Sequence, residues 1–378
     1  LGEFDQKGTI PTWFGARSEL ESLIQAAHSH KLSVIADMVF NHNSGADAQE
    51  LNPLINQMRW TVFNPKSGKF PRNWECFHPC MYESWDNMTF GDMPDLAHRN
   101  PYVYAELLKL ARWLIEDIGF DGFRYDFVKG YGADTITAVQ EYRYQRDGKQ
   151  FVPYGVAEFW DNAHAIENWV DLANFSNTNP VEAFDFPQRE MLKAMCDSYG
   201  FSLKNLTTWD TVVRREEQNA VSFVENHDLR DEGRPIINDK LLAYSYILTH
   251  EGYPCVFWHD YFNLNLALGD TPNGIVALVD AHEKYAGGDT NVLYVDDNLY
   301  VMQREGYADQ PGLIYVLNNR GDNWNGKLVT TKWTNASFAP VAWWSKSDLS
   351  RPINQSTDRD GRAQFYAPPR GYAVYAMR

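Results

Sequence analysis

The chain has 378 residues, 44% of them hydrophobic, which is enough apolar material for two domains or for one large barrel with an appendage, and excludes a disordered chain. Its 34 Lys and Arg stand against 50 Asp and Glu, and the resulting formal charge of −16 argues against phosphate backbones and anionic lipid as partners. No apolar run approaches the length of a membrane span, and four cysteines are too few for a disulfide framework in a chain this long.

Taken in order, Ser18-Glu19-Leu20-Glu21 reads as a capping box, and Leu20, Leu23, Ile24 and Ala27 then recur at helical spacing as far as His30-Lys31. Leu32 to Phe40 is apolar but for Ser33 and Asp37, the pattern of a parallel strand buried on both faces, and Asn41-His42-Asn43 ends it. From Ser44 to Gly91 the helical period is lost among prolines, aromatics and polar residues, which predicts a long inserted loop or small subdomain. Asn100 caps a helix with Pro101 in its first position and Gly119 stopping it. A strand follows within Gly119 to Gly130, then a helix from about Ala133 to Tyr144, a strand at Val152 to Phe159 and an apolar segment at Val181 to Phe186. A strand at Ala220 to Val224, a helix near Leu241 to Thr249 and a strand at Pro254 to Trp258 continue the alternation, so a parallel sheet is expected. After Gly287-Gly288 short alternating runs such as Leu299 to Gln303 and Leu313 to Leu317 predict a separate all-β domain.

The stretch G-F-D-G-F-R-Y-D-F-V-K-G at Gly119 to Gly130 has the bulk of a buried strand yet carries four charges. Arg124 and Asp126 are two apart, hence on one face, where a guanidinium holds a carboxylate ionised and oriented as a nucleophile. A structural ion pair accounts for the same two residues. What favours chemistry is repetition. Asp37, Asn41 and His42, then Arg124 and Asp126, then Glu158, then His227 and Asp228 all fall at the C-terminal ends of strands, the rim on which (β/α) barrels build active sites. Three carboxylates, Asp126, Glu158 and Asp228, suit glycoside hydrolysis: one attacks the anomeric carbon, one protonates the leaving oxygen and one stabilises the charge that develops. A metal-dependent hydrolase is the rival, and it lacks a His-x-His pair or a strand lysine.

These motifs resemble those of the alpha-amylase family, glycoside hydrolase family thirteen, and in particular its archaeal and plant-like branch. The matching stretches are A-D-M-V-F-N-H at Ala36 to His42, M-P-D-L at Met93 to Leu96, G-F-R-Y-D-F-V-K-G at Gly122 to Gly130, G-V-A-E-F-W at Gly155 to Trp160 and F-V-E-N-H-D at Phe223 to Asp228, all in the family's order. The opening L-G-E-F-D-Q-K-G-T and the text near Ala308 to Leu313 extend the resemblance to almost the whole chain.

The resemblance implies retaining endo-hydrolysis of alpha-1,4-glucosidic bonds in starch-like polymers, with Asp126 the nucleophile, Glu158 the general acid/base and Asp228 the transition-state stabiliser. Arg124 would orient Asp126, His42 and His227 would bind the sugar being cleaved, Lys129 and Trp160 would lie on the leaving-group side, and Asp37 would be a structural partner. A transglycosylase of the same family and a starch-binding protein that has lost catalysis are the alternatives. The resemblance further implies a calcium ion held by Asn41, Asp86 and Asp95 with the carbonyls of Met88 and Gly130. Zinc is not expected. His78 is retained where some relatives hold one, but Glu83 and Ala97 fall at the other ligand positions, and Cys76 and Cys80 are read as a disulfide or free thiols.

The implied fold is an α/β (β/α)8-type TIM barrel over residues 1–43 and 92–287, a calcium-binding subdomain inserted at 44–91 and a C-terminal β-sandwich at 288–378. Relatives carry two strands and a helix ahead of the segment matching Leu1, and six strands do not close an eight-stranded barrel. A fragment, a partner chain and a tolerated open barrel all remain open readings, with a homodimer covering the exposed edges as the expectation if the chain is entire. Secretion is expected from the resemblance alone.

Overall fold

The structure is a computed structural model that describes residues 4–82, 88–176 and 178–378. The chain divides into two compact units, Leu1–Phe184 and Asp185–Arg378.

The first unit opens with α1 (Arg17–Ser29). Its cap differs from the expected one: Ala16 is the N-cap, and its N–H donates to Glu19 Oε2 at 2.8 Å, while Ser18 lies inside the helix. The strand that follows, β1 (Ile35–Met38), alternates exposed and buried residues, so it is half-buried where a strand covered on both faces was expected. The face of Ile35 and Asp37 is left uncovered, and among the described residues the strand pairs only with β4 (Gly122–Tyr125). Between them β2 (Ala48–Asn52) and β3 (Gln57–Val62) form a hairpin within the proline-punctuated stretch. The helix α2 (Pro101–Trp113) then starts at Asn100, whose Oδ1 takes the Tyr102 N–H. It widens into a π-type turn over Leu114–Ile118, which Gly119 ends at a φ of 99°.

After α3 (Ala133–Glu141) and the small hairpin of β5 (Tyr144–Arg146) and β6 (Lys149–Phe151) comes β7 (Tyr154–Ala157), followed by α4 (Ala163–Asn174) and β8 (Glu182–Phe184). The order β1-β4-β7-β8 is parallel throughout. All four residues of β4 are buried, and Gly122 is required there because a Cβ would sit 2.3 Å from the Tyr154 carbonyl of the adjoining strand. Register places Asp37 beside Arg124 and Tyr125 beside Ala157, so the residues that follow each strand leave from one edge of this sheet.

The second unit contains α5 (Phe186–Asp197), the short α6 (Val212–Arg215), β9 (Ala220–Phe223), α7 (Lys240–Ile247), β10 (Tyr253–Cys255) and α8 (Ile275–Tyr285). Strands β9 and β10 are parallel neighbours. Eight strands then follow: β11 (Thr290–Val295), β12 (Leu299–Arg304), β13 (Ile314–Asn318), β14 (Asn325–Thr330), β15 (Ser337–Ser345), β16 (Gln355–Ser356), β17 (Arg362–Ala367) and β18 (Gly371–Met377). They form an antiparallel sheet in the order β11-β12-β13-β18-β15-β16 and a separate β14-β17 ribbon.

Every residue of β12 and β13 is buried, because period-two alternation sends successive side chains into two different cores. Leu299, Val301, Ile314 and Val316 pack with Phe338 and Phe365 in one, and Tyr300, Met302, Tyr315 and Leu317 pack with residues of α5, α7 and α8 in the other.

Candidate active site

The site is assembled where β1, β4 and β7 end. Arg124, with a side chain only 10% exposed, is its centre. Its Nη1 donates to Asp126 Oδ1 at 2.6 Å and to Asp37 Oδ1 at 2.7 Å, and its Nη2 stands 2.9 Å from Glu158 Oε2. Those carboxylates raise the guanidinium's pKa well above its ordinary value, overcoming burial, which by itself would depress it. Backbone ties fix the acids as well. The Asp126 N–H donates to the Met38 carbonyl at 3.0 Å and the Glu158 N–H to the Tyr125 carbonyl at 2.9 Å, so each acid is the first residue past the strand ladder.

Phe127 adopts a left-handed conformation, φ 44° and ψ 49°, and this turns its N–H onto Glu158 Oε2 at 3.0 Å. Glu158 thereby accepts from both a guanidinium and a peptide N–H, while Val128 N–H holds its carbonyl at 3.1 Å.

His42 is buried and stacks on Phe90, with ring centroids 4.7 Å apart and an angle of 5°. Burial lowers its pKa, the nearby Asp126 charge opposing, so at neutral pH the ring is uncharged. Phe90 in turn meets Phe127 edge-on at 5.2 Å, and these rings wall the polar cluster. Lys129 donates to Asp161 Oδ2 at 2.7 Å and to the Trp160 carbonyl at 3.2 Å, and Trp160 is partly exposed.

Two participants escaped the sequence reading. Asp161 anchors Lys129, and its hydrogen bond from that ammonium holds the carboxyl below its ordinary range. Tyr131 is fully buried, its ring stacked on His98 at 4.8 Å; burial drives its pKa far up, with the charges of Asp126 and Glu158 adding to the effect. A basic residue followed by a small acid in K-x29-F-W-D was the available signal for Asp161. Tyr131, one residue past V-K-G, had none.

In the second unit, His227 and Asp228 follow β9, both half-exposed, with His227 Nε2 3.2 Å from Asp228 Oδ2. Asn226 Oδ1 accepts the Asp228 N–H at 3.0 Å and the Leu229 N–H at 3.2 Å. The same unit holds a cavity of about 700 Å3 beside this loop, lined by Glu225, Lys240, Asp260, Phe257 and Trp344 among others.

The proposed calcium ligands fall in the first unit. Asn41 is fully buried; among the described residues its Oδ1 has no hydrogen-bond donor, while its Nδ2 donates to the Met88 carbonyl at 3.3 Å. A Cβ on Gly130 would stand 1.8 Å from that same Oδ1, so only glycine leaves the oxygen its space. Asp95 is buried and sits on a backbone bridge with His42, tied further by Leu96 N–H to the Asn41 carbonyl at 2.8 Å. A buried amide oxygen lacking a donor and a buried carboxylate on the adjacent strand segment fit a hard cation. Asp86 lies outside the described residues, as does Glu83. Among the described residues no group of three His, Cys, Asp or Glu converges on a metal position, and Cys76 and Cys80 are free thiols, with Cys80 Sγ 3.8 Å from His78 Nδ1.

Residues 5–257 match the family model "Alpha amylase, catalytic domain", and residues 313–376 match "Alpha-amylase C-terminal". The chain is 30% identical to the glucan 1,4-alpha-maltohexaosidase of Bacillus sp. (strain 707), over 86% of this chain and 72% of that protein. It is likewise 30% identical to the alpha-amylase of Bacillus licheniformis, over 86% and 76%, and 25% identical to the cytoplasmic alpha-amylase of Escherichia coli (strain K12), over 100% and 86%. A plant relative, probable alpha-amylase 2 of Arabidopsis thaliana, matches at 25%, so the plant-like branch is not singled out. In fold the chain resembles the crystal structure of alpha-amylase from Geobacillus thermoleovorans complexed with acarbose, with a TM-score of 0.67 at 20% identity, covering 97% of this chain and 81% of that one.

Proposed function

The chain belongs to the alpha-amylase family, with its TIM-barrel catalytic domain and C-terminal β domain, and on that premise we propose how its residues divide the hydrolysis of alpha-1,4-glucans. The observation that carries the assignment is the single guanidinium of Arg124 gripping Asp126 with one nitrogen and Glu158 with the other. Two acids bridged in this way leave little room for the water that an inverting pair needs, a separation of about 6.5–9.5 Å, and this supports a retaining mechanism.

An Asp126 oxygen attacks the anomeric carbon while Glu158 gives its proton to the departing glycosidic oxygen, breaking the bond and leaving a covalent glycosyl ester. Water then attacks that carbon, Glu158 takes the water's proton, and Asp126 leaves as carboxylate. Asp228 stabilises the positive charge of both transition states. Neutral His42 donates to sugar hydroxyls, as does His227, and Lys129 with Trp160 borders the leaving-group side. Replacing Glu158 with Gln tests the assignment: reducing-sugar release from starch should fall by roughly 100-fold or more, the usual contribution of a general acid/base, and near-wild-type release would refute it. The transglycosylase and binding-only alternatives are not favoured by the relatives, most of which are named as amylases.

Calcium is the ion we assign to Asn41, Asp95 and the carbonyls of Met88 and Gly130, with Asp86 from the segment outside the described residues. Bound there it would join residues 44–91 to the strand ends by neutralising buried oxygen, a structural contribution. Starch or maltooligosaccharide is the substrate. If the chain is entire, a second copy of it is the partner we propose for the β1 edge, where Leu32, Ile35 and Val39 expose apolar side chains. Among the described residues no helix is long and apolar enough to cross a membrane. We place the protein outside the cell, and its recovery from washed cells alone would overturn that placement.

A further inference from the structure

The loop that carries Asp228 starts and ends on one buried side chain. Arg189, in the first turn of α5, is 1% exposed. Its Nε donates to the Val224 carbonyl at 3.2 Å and its Nη2 to Glu225 Oε2 at 3.2 Å, on the strand side of the loop. The same Nη2 donates to the Arg234 carbonyl at 2.5 Å, on the return side. One guanidinium fork therefore closes the segment 224–234 at both ends.

Glu225 extends the closure. Its Oε1 accepts the Ile236 N–H at 2.6 Å and faces Lys240 Nζ at 3.2 Å, and Lys240 passes to Asp260 Oδ1 at 2.8 Å. Asp260 accepts in turn from the Tyr244 hydroxyl at 2.7 Å. Two cations and two carboxylates alternate in this buried circuit, and Arg189 Nη1 also donates to the half-exposed Glu190 Oε1 at 3.0 Å. Above it the tip of the loop, His227 and Asp228, stands half in solvent, held within the loop by Asn226.

A buried ion network is a weak stabiliser, since apolar residues of the same volume often do as well. What a planar fork supplies and a hydrophobe does not is a set of donors in fixed directions, which pins two backbone segments to one another. We propose that Arg189 is a positioning residue for Asp228: it sets the span of the loop, and through the loop the place of the acid that stabilises transition-state charge. The proposal rests on the reading of Asp228 given above.

The test compares Arg189→Met, Asp228→Asn and the double variant on an activated maltooligosaccharide, at a temperature where melting curves show each folded. Arg189→Met should lower kcat about tenfold or more with KM within about twofold, the signature of an interaction made in the transition state. In the Asp228→Asn background the same change should cost less than about twofold, because its effect passes through the missing carboxylate. The pH–rate profile should keep its limbs, since neither Asp126 nor Glu158 is touched. An equal loss in both backgrounds would show a general structural role and overturn the proposal, as would wild-type kcat in Arg189→Met. Wild-type activity in Asp228→Asn alone would instead overturn the reading of Asp228. Should Arg189→Met not fold, Arg189→Lys keeps the charge without the fork. A drop of about fivefold in kcat supports the proposal, and an unchanged kcat refutes it.

Discussion

Replacing Arg124 with Met removes the one cation shared by three acids, and the geometry around it sets how much should be lost. The Asp37 side chain is 54% exposed, so its pair with Arg124 is worth about 1 kcal/mol at most. Glu158 is buried and Asp126 largely so, at 9% and 18%, and removing one partner from a buried pair typically costs about 3–5 kcal/mol. Because Glu158 keeps the Phe127 N–H, the lower end, about 3 kcal/mol, is expected. In a folding unit of this size that corresponds to a fall in melting temperature of about 6–12 °C. Circular dichroism melts at pH 7 would read it.

Activity should fall about 100-fold through misplacement of the nucleophile, with Arg124→Lys recovering only part, as an ammonium is a single point charge and not a fork. A variant melting within about 2 °C of wild type at pH 7 would refute the reasoning.

Three further outcomes are expected. Chelation with EDTA should lower the melting temperature, a native-state ligand at 100 times its dissociation constant being worth about 2.7 kcal/mol; Asp95→Asn should melt low with or without chelator, and indifference of the wild type to EDTA would remove the ion from the account. His250, fully buried, donates from Nδ1 to the Tyr246 carbonyl at 2.8 Å and accepts at Nε2 from the Tyr300 hydroxyl at 3.0 Å, and burial holds its pKa below the ordinary value. Its folded pKa being depressed, the stability it contributes is present above the ordinary histidine range near 6.5 and is lost as the pH falls below it, at about 1.4 kcal/mol for each pH unit until the folded pKa is reached. The melting temperature should therefore drop between pH 7 and pH 5, and drop less in His250→Gln. If the chain is entire, light scattering should give twice its 43.6 kDa mass, and a monodisperse active monomer would remove the second copy from the β1 edge.

Much of the site was legible because strand chemistry is periodic. Arg124 and Asp126 share a face by the period of two, and Glu158 follows a run ending in Ala157, so these acids could be placed near one cation from the chain's pattern alone. What stayed hidden depends on loops. Tyr131 reaches the cluster only because the chain turns left-handed at Phe127 and then makes a tight turn over Val128–Gly130, and no local pattern announces that path. Arg189 was hidden for a different reason: in a helix a charged residue is expected to face water, and only the tertiary fold turns this one inward. Edges were misjudged too. The apolar run from Leu32 to Phe40 reads as doubly covered, but coverage belongs to neighbours, and among the described residues β1 pairs only with β4.

The backbone at Phe127 has one more consequence. A non-glycine residue held at a φ of 44° carries strain of about 1–2 kcal/mol, and glycine would relieve it. The benzyl ring nevertheless has its own work, meeting Phe90, which stacks on His42. Stability and catalysis thus select different residues at a single position. A library screened for heat resistance should return Gly or Asn at 127, whereas one screened for turnover should return Phe. The site would then be a place where adaptation to temperature and adaptation to substrate compete, and a thermally selected lineage would be expected to recover its lost activity elsewhere in the ring wall rather than by reverting the turn.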